Sequence, residues 1–221
     1  MYYFELNPYQ WGKTRSALSW MLELVKNRKT KFDDVRKYLI EEEITYVEKF
    51  DGTNIGKDKN GCIYTRRTKL NKHMKEFIGT SLKNVKKIEV NSFHDKMNEI
   101  VYGGVKNTIV FGELMCKNNI HDYGDRGLNA RWILFGAVLL LEDDKDVDEY
   151  LEKLKDTGFV VKKMRSLEIC IYLNEKLAGI FEKLAYDCPM VKRTTIFNMM
   201  KENKRKIISG DIEGIVILTD I

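Results

Sequence analysis

Residues 132–141, "WILFGAVLLL", form the most apolar run in the chain and constrain its fold more than any other stretch. Ten residues are too few to cross a bilayer, and the run carries no polar position for a solvent-facing helix stripe. It suits a buried strand, so the chain must build a sheet with enough cover to hide it. At 221 residues, with 43% apolar and 32% charged side chains, it has the composition of a soluble globular protein.

The neighbouring pattern supports a sheet flanked by helices. "ITYVEKF", "GCIYTRR", "NTIVFGELM", "FVVKKM" and "GIVILTD" read as strands, with residues 44–67 as a hairpin-rich start. Residues 14–43 read as helical, as do "DVDEYLEKLKDTGF" up to Gly158 and "EICIYLNEKLAGIFEKLAYD"; "KHMKEFIGTSLKNVKKIEVNSFHDKMNEIVYGG" is largely helical and stops at Gly103–Gly104. No repeat or linker divides the chain, and its two prolines argue against disorder. The expectation is one α+β domain over 1–221 with antiparallel sheets, a helical segment at 1–43 and a core at 44–221.

Four cysteines, Cys62, Cys116, Cys170 and Cys188, are widely spaced without a CxxC pair, which signals neither a zinc site nor a disulfide framework. The N-terminus lacks the basic-then-apolar order of a secretory leader. An intracellular setting, cytoplasmic or nuclear, without a membrane partner follows as the expectation. The net charge of +5 permits a polyanionic partner without requiring one.

The chemistry concentrates around "YVEKFDGTNIG", residues 46–56. Strand alternation puts Val47, Lys49 and Asp51 on one face, and Tyr46, Glu48 and Phe50 on the other. The Asp-Gly step suits a tight turn that would hold Lys49 at the end of a strand. Taken alone, a lysine beside a turn is an ordinary solvated cation, since a free lysine is protonated at neutral pH and cannot attack. Two glutamates alter that estimate: Glu113 in "VFGEL" and Glu213 in "EGIVI" each sit among apolar strand residues. Such carboxylates are costly to bury without a cation, a metal or hydroxyl donors. Arg66 and Arg67, in "YTRRTK", follow as phosphate-binding candidates; adjacent strand residues face opposite ways, so only one can share the lysine's side.

In order, "EKFDGTN", "VFGEL", "YGDRGLNARWILFGAV" and "EGIVI" resemble motifs I, III, IIIa and IV of the covalent nucleotidyltransferases, the polynucleotide ligases and capping enzymes. The Gly-Thr-Asn continuation is most similar to the RNA ligase 2 group. The resemblance spans roughly residues 35–219. It implies a nucleotidyltransferase (ATP-grasp-like ligase) domain using ATP and Mg²⁺ or Mn²⁺. Lys49 would attack the α-phosphorus of ATP to give lysyl-AMP, and Glu213 would help position the metal. Glu48 would contact the adenine, Glu113 the ribose, Arg66 or Arg67 a phosphate or the ribose, and Trp132 or Phe135 would stack on the base. Asn54 joins the nucleotide-binding set.

The implied partner is a nucleic acid, RNA favoured, with a 5′-phosphate and a 3′-hydroxyl. The basic stretches "KKIEV", "VKKMR" and "VKRTT…KENKRK" are candidates for its backbone, and equally for plain solvated faces. Two features depart from the family pattern: "FGAV" stands where Phe-Asp-Ile is usual, and the residues to Ile221 show no Lys-x-Lys motif V. The alternatives are a homologue that binds nucleotide or nucleic-acid ends without catalysis, a chain whose partner subunit supplies the missing lysines, and, less favoured, a capping-type guanylyltransferase.

Overall fold

A computed structural model describes residues 37, 40, 41, 43–65, 69, 70, 75, 76, 79–116, 128, 130–143 and 147–218. The expected helical segment at 1–43 lies almost wholly outside them, as do Arg66, Arg67 and part of the "YGDRGLNA" stretch. The chain is α+β, with antiparallel pairing in both sheets.

Its strands are β1 (Glu43–Lys49), β2 (Thr53–Asp58), β3 (Ile63–Thr65), β4 (Val105–Leu114), β5 (Trp132–Leu141), β6 (Val160–Arg165), β7 (Glu168–Tyr172), β8 (Lys192–Thr195) and β9 (Gly214–Leu218). The described helices are α1 (Leu82–Lys87), α2 (Val90–Val101), α3 (Val147–Asp156), α4 (Glu175–Lys183) and α5 (Ile196–Ser209). The described residues fall into two compact units. The larger holds residues 51–189, and the smaller holds β1 with the chain from Met190 to Leu218.

The larger unit is built on a six-stranded sheet in the order β3-β2-β4-β5-β7-β6. The apolar run of β5 lies inside it between β4 and β7, which is why eight of its ten residues are buried. Period-two alternation sorts the side chains by face. Tyr64, Ile109, Phe111, Val138 and Cys170 form a cluster on one face. On the other, Thr108 Oγ1 meets His94 Nδ1 of α2 at 2.9 Å, and Lys57 Nζ donates to Lys86 O and Ile88 O at 2.9 and 2.6 Å. Helix α2 packs on β4, and α3 on α2 and β6. Phe181 of α4 stacks obliquely between Phe93 of α2 and Tyr186, at 5.4 and 5.9 Å.

Two expectations need correction. "EICIY" is not the start of a helix: it is β7, hydrogen-bonded between β5 and β6. Its Ile169 and Ile171 are β-branched and fully buried on a sheet face, and Asn174 then starts α4 by accepting from Leu177 N at 2.9 Å. Nor do the segments on either side of Asp51-Gly52 form a hairpin. β1 pairs with β8 and β9, whereas β2 pairs with β3 and β4, so the chain leaves one sheet for another at this step.

The smaller unit is a three-stranded sheet in the order β8-β1-β9 with α5 against it. Ile44 and Tyr46 from one face of β1 pack with Ile196 and Met199 of α5. Tyr46 Oη donates to Glu202 at 3.2 Å. Thr195 caps α5 by accepting from Asn198 N at 3.3 Å, and Gly210, with φ +79°, ends it in the left-handed region.

Candidate functional site

The smaller unit brings Lys49 and Glu213 together. Register pairs Lys49 with Gly214, so Glu213 enters beside the last residue of β1. The Lys49 Nζ donates to Glu213 Oε1. The lysine stem runs past Gly214 at ordinary van der Waals distance. Both groups reach solvent, with side-chain exposures of 45% for Lys49 and 29% for Glu213. An ion pair this exposed is worth about 0–1 kcal/mol, so stability alone gives little reason for it. Glu48 is half-buried and, one residue earlier on the strand, takes the other face of β1 from Lys49.

The larger unit carries the remaining described candidates, and register decides which of them share a face. Asn54 pairs with Glu113 and Glu113 with Ile133, which sets Asn54 and Glu113 side by side. Phe135 is the extra residue where the β4–β5 register slips between Phe111–Gly136 and Gly112–Leu134, a β-bulge. It packs on the Phe111 cluster, the same face as Glu113. Trp132 pairs with Leu114 and therefore lies on the opposite, helix-covered face, where it is 1% exposed. Of the two aromatic candidates, Phe135 accompanies Asn54 and Glu113, and Trp132 does not.

Two glycines shape this region, Gly52 of the expected Asp-Gly turn and Gly112, which sequence reasoning passed over. A Cβ on Gly52 would stand 2.6 Å from Glu113 Cγ and 2.9 Å from Leu114 O. One on Gly112 would stand 2.5 Å from Ile133 O and 2.7 Å from Trp132 Nε1. Gly52 thus serves close approach of chain to chain and has no positive φ to demand it. The available signal was a lone glycine inside a strand pattern, as in "VFGEL".

Polar satisfaction marks the same end of the sheet. Asn54 Oδ1 and Trp132 Nε1 are buried side-chain atoms without a hydrogen-bond partner among the described residues. A buried polar group left unpaired costs about 1–3 kcal/mol. Asn54 Oδ1 lies in the strand pair beside the half-buried Glu113.

Nearby, Cys116 has its thiol pushed up by burial, against hydrogen bonds from Thr53 and Ser81 that lower it. This keeps it a neutral, unreactive thiol. Among the described residues no three His, Cys, Asp or Glu side chains gather as a metal site. Magnesium is nonetheless commonly held by one or two carboxylates with phosphate oxygens and water, a donor set that Glu213 fits.

No family model matches the chain, and no curated protein matches it either. None of the described helices is long and apolar enough to cross a membrane.

Proposed function

We propose that this chain is an ATP-dependent polynucleotide ligase, RNA favoured, with a nucleotidyltransferase fold and Lys49 as its nucleophile. The observation that carries the reading is the Lys49–Glu213 pair, which joins residues 164 apart in sequence at the end of two hydrogen-bonded strands. The pairing sets the amine beside a carboxylate within reach of its proton.

In the reaction proposed, Lys49 Nζ forms a bond to the α-phosphorus of ATP. The bond from that phosphorus to the bridging oxygen breaks, and pyrophosphate leaves. The ion-paired ammonium first gives up one proton to water, which frees the lone pair for attack, and the second passes by way of the Glu213 carboxylate to water as the phosphorus–nitrogen bond forms. A magnesium ion held by Glu213 and phosphate oxygens would supply charge neutralisation on the triphosphate. Asn54, Glu113 and Phe135 are the residues the reading gives to the nucleoside. AMP then moves to a 5′-phosphate end, and a 3′-hydroxyl displaces it as the strand is sealed.

The test is incubation with ATP labelled at the α-phosphate, with GTP in parallel, over a range of pH and of Mg²⁺ and Mn²⁺. The expected result is a labelled protein with ATP, lost in Lys49→Ala. Labelling that survives Lys49→Ala, or none under any condition, would sink the ligase reading. The glycine at 136, where the family's motif IIIa carries aspartate, favours a second reading: a homologue that binds nucleotide or nucleic-acid ends without an adduct. Binding of ATP or of nicked duplex with no labelling would select it.

A further inference from the structure

Helix α5 carries two different faces. Ile196 and Met199 turn inward onto Ile44 and Tyr46. At about 100° per residue, Phe197, Met200, Lys201, Lys204 and Ile208 fall together within an outward arc of about 100°. Phe197, Met200 and Ile208 are 59%, 61% and 75% exposed, and Lys201 and Lys204 are exposed with them. No carboxylate falls in the arc. Glu202, on another side of the helix, accepts the Tyr46 hydroxyl. Arg205 borders the face, and among the described residues Lys201, Lys204 and Arg205 have no ion-pair partner.

We infer that this outward face of α5 binds single-stranded nucleic acid, with Phe197 as a stacking platform for a base and Lys201 and Lys204 on the phosphates. The argument is charge complementarity joined to the mixing of residue types. Cations interleaved with an aromatic ring are what a strand needs, because it offers an anionic backbone and flat bases at short intervals. A membrane-surface helix instead gathers its apolar residues on one face and its lysines on the other. Here the continuous apolar face is already spent inside the protein. A second copy docked symmetrically would set Lys201 and Lys204 against their own like charges. As a seat for a substrate strand the face rests on the ligase reading; as a binding surface it stands on exposure and charge alone.

The experiment is fluorescence anisotropy of the full chain with a labelled single-stranded RNA of about 20 nucleotides, hydroxyl at both ends so that it cannot be sealed. Lys201→Gln with Lys204→Gln is expected to flatten the slope of log affinity against log salt by about 1.4, two phosphates at about 0.7 each. Phe197→Ala is expected to weaken binding about tenfold with the salt slope unchanged, and Phe197→Tyr to retain it, since stacking needs the ring. Phe197→Leu keeps the apolar bulk and is expected to weaken binding as much as Phe197→Ala, about tenfold, which separates stacking from packing. Equal urea midpoints establish that each variant is folded.

The inference is overturned if wild type does not bind the RNA, or if folded variants bind as wild type does. It is also overturned if they lose only binding to anionic phosphatidylserine vesicles, or only self-association in sedimentation. RNA binding without any ATP adduct would remove the ligase reading and leave this surface standing, and an adduct without α5-dependent binding would do the reverse.

Discussion

The two ends of β2 lie on one face of the same sheet, about 13 Å apart at about 3.3 Å per residue, and treat their polar side chains in opposite ways. At one end Asp58, 3% exposed, is fully paired. Its Oδ1 accepts from Asn60 N and Cys62 N at 3.0 and 2.8 Å, and its Oδ2 from Tyr64 Oη and Asn107 Nδ2 at 3.2 and 3.4 Å. At the other end Asn54 Oδ1 is buried with no partner among the described residues, beside Glu113 and a glycine that admits no Cβ. A polar group that the fold satisfies holds the β2–β3 turn. One that it leaves unsatisfied costs stability and needs another reason to be there.

The comparison is broken or sharpened by substitution at each end. The largest effect is expected for Asp58→Ala, which strands four donors and should lower unfolding free energy by about 3 kcal/mol or more. Urea denaturation measures it, and a loss under about 1 kcal/mol would deny Asp58 its structural role. Next is Gly112→Ala, where the new methyl meets backbone at 2.5 Å and cannot be relieved by a rotamer change. It should cost about 1–3 kcal/mol.

Asn54→Ala should not destabilise the protein by more than about 1 kcal/mol, because the acceptor it removes is unpaired. In the same variant, protection of the protein against thermal unfolding by ATP should fall. An Asn54→Ala as destabilising as Asp58→Ala would erase the distinction between the two ends.

The smallest effect is a pH dependence at the structural end. His94 Nε2 lies 3.1 Å from Lys59 Nζ and Nδ1 lies 2.9 Å from Thr108 Oγ1. Burial first, and then the Lys59 cation, hold the imidazole below its usual value, with Asp95 pulling the other way. Below about pH 6.5 the unfolded chain therefore takes up a proton that the native state resists. This contribution is full above that pH and is lost as pH falls toward the folded value. Burial raises the Glu168 carboxyl, which acts in the opposite sense from about pH 4.5 upward, with Arg165 opposing that shift. The difference in urea midpoint between wild type and His94→Gln isolates the histidine, and it should shrink between pH 7 and pH 5.

What could be read from the residues follows the strength of local patterning. The "WILFGAVLLL" run announces β5 because a strand buried on both faces has no other composition. "DVDEYLEKLKDTGF" announces α3 because its apolar spacing and the glycine at φ +88° give it both a face and an end. "EICIY" misleads because a short apolar run followed at once by a true helix has no period of its own, and neighbours on both sides decide it.

In the sequence Glu113 and Glu213 stand out as carboxylates costly to bury and Lys49 as a lysine at a strand end; that Lys49 and Glu213 meet follows from strand pairing, which no single segment shows. Whether Trp132 or Phe135 shares the Glu113 face was not legible. Alternation alone sets the two on opposite faces, but which of them faces with Glu113 depends on the β4–β5 register, which no single-strand pattern carries.

The central claim is that Lys49 is a nucleophile and that Glu213 is its working partner. Intact-mass spectrometry after incubation with ATP and Mg²⁺ tests it most directly, with peptide mapping of any gain. The account predicts a mass increase of one AMP on Lys49, lost in acid as a phosphorus–nitrogen bond is. It predicts formation roughly 10²-fold slower in Glu213→Gln and absent in Lys49→Ala. Stability should change by no more than about 1 kcal/mol in either variant, because the pair is exposed. An unmodified wild-type chain, or AMP carried on any other residue, would contradict it.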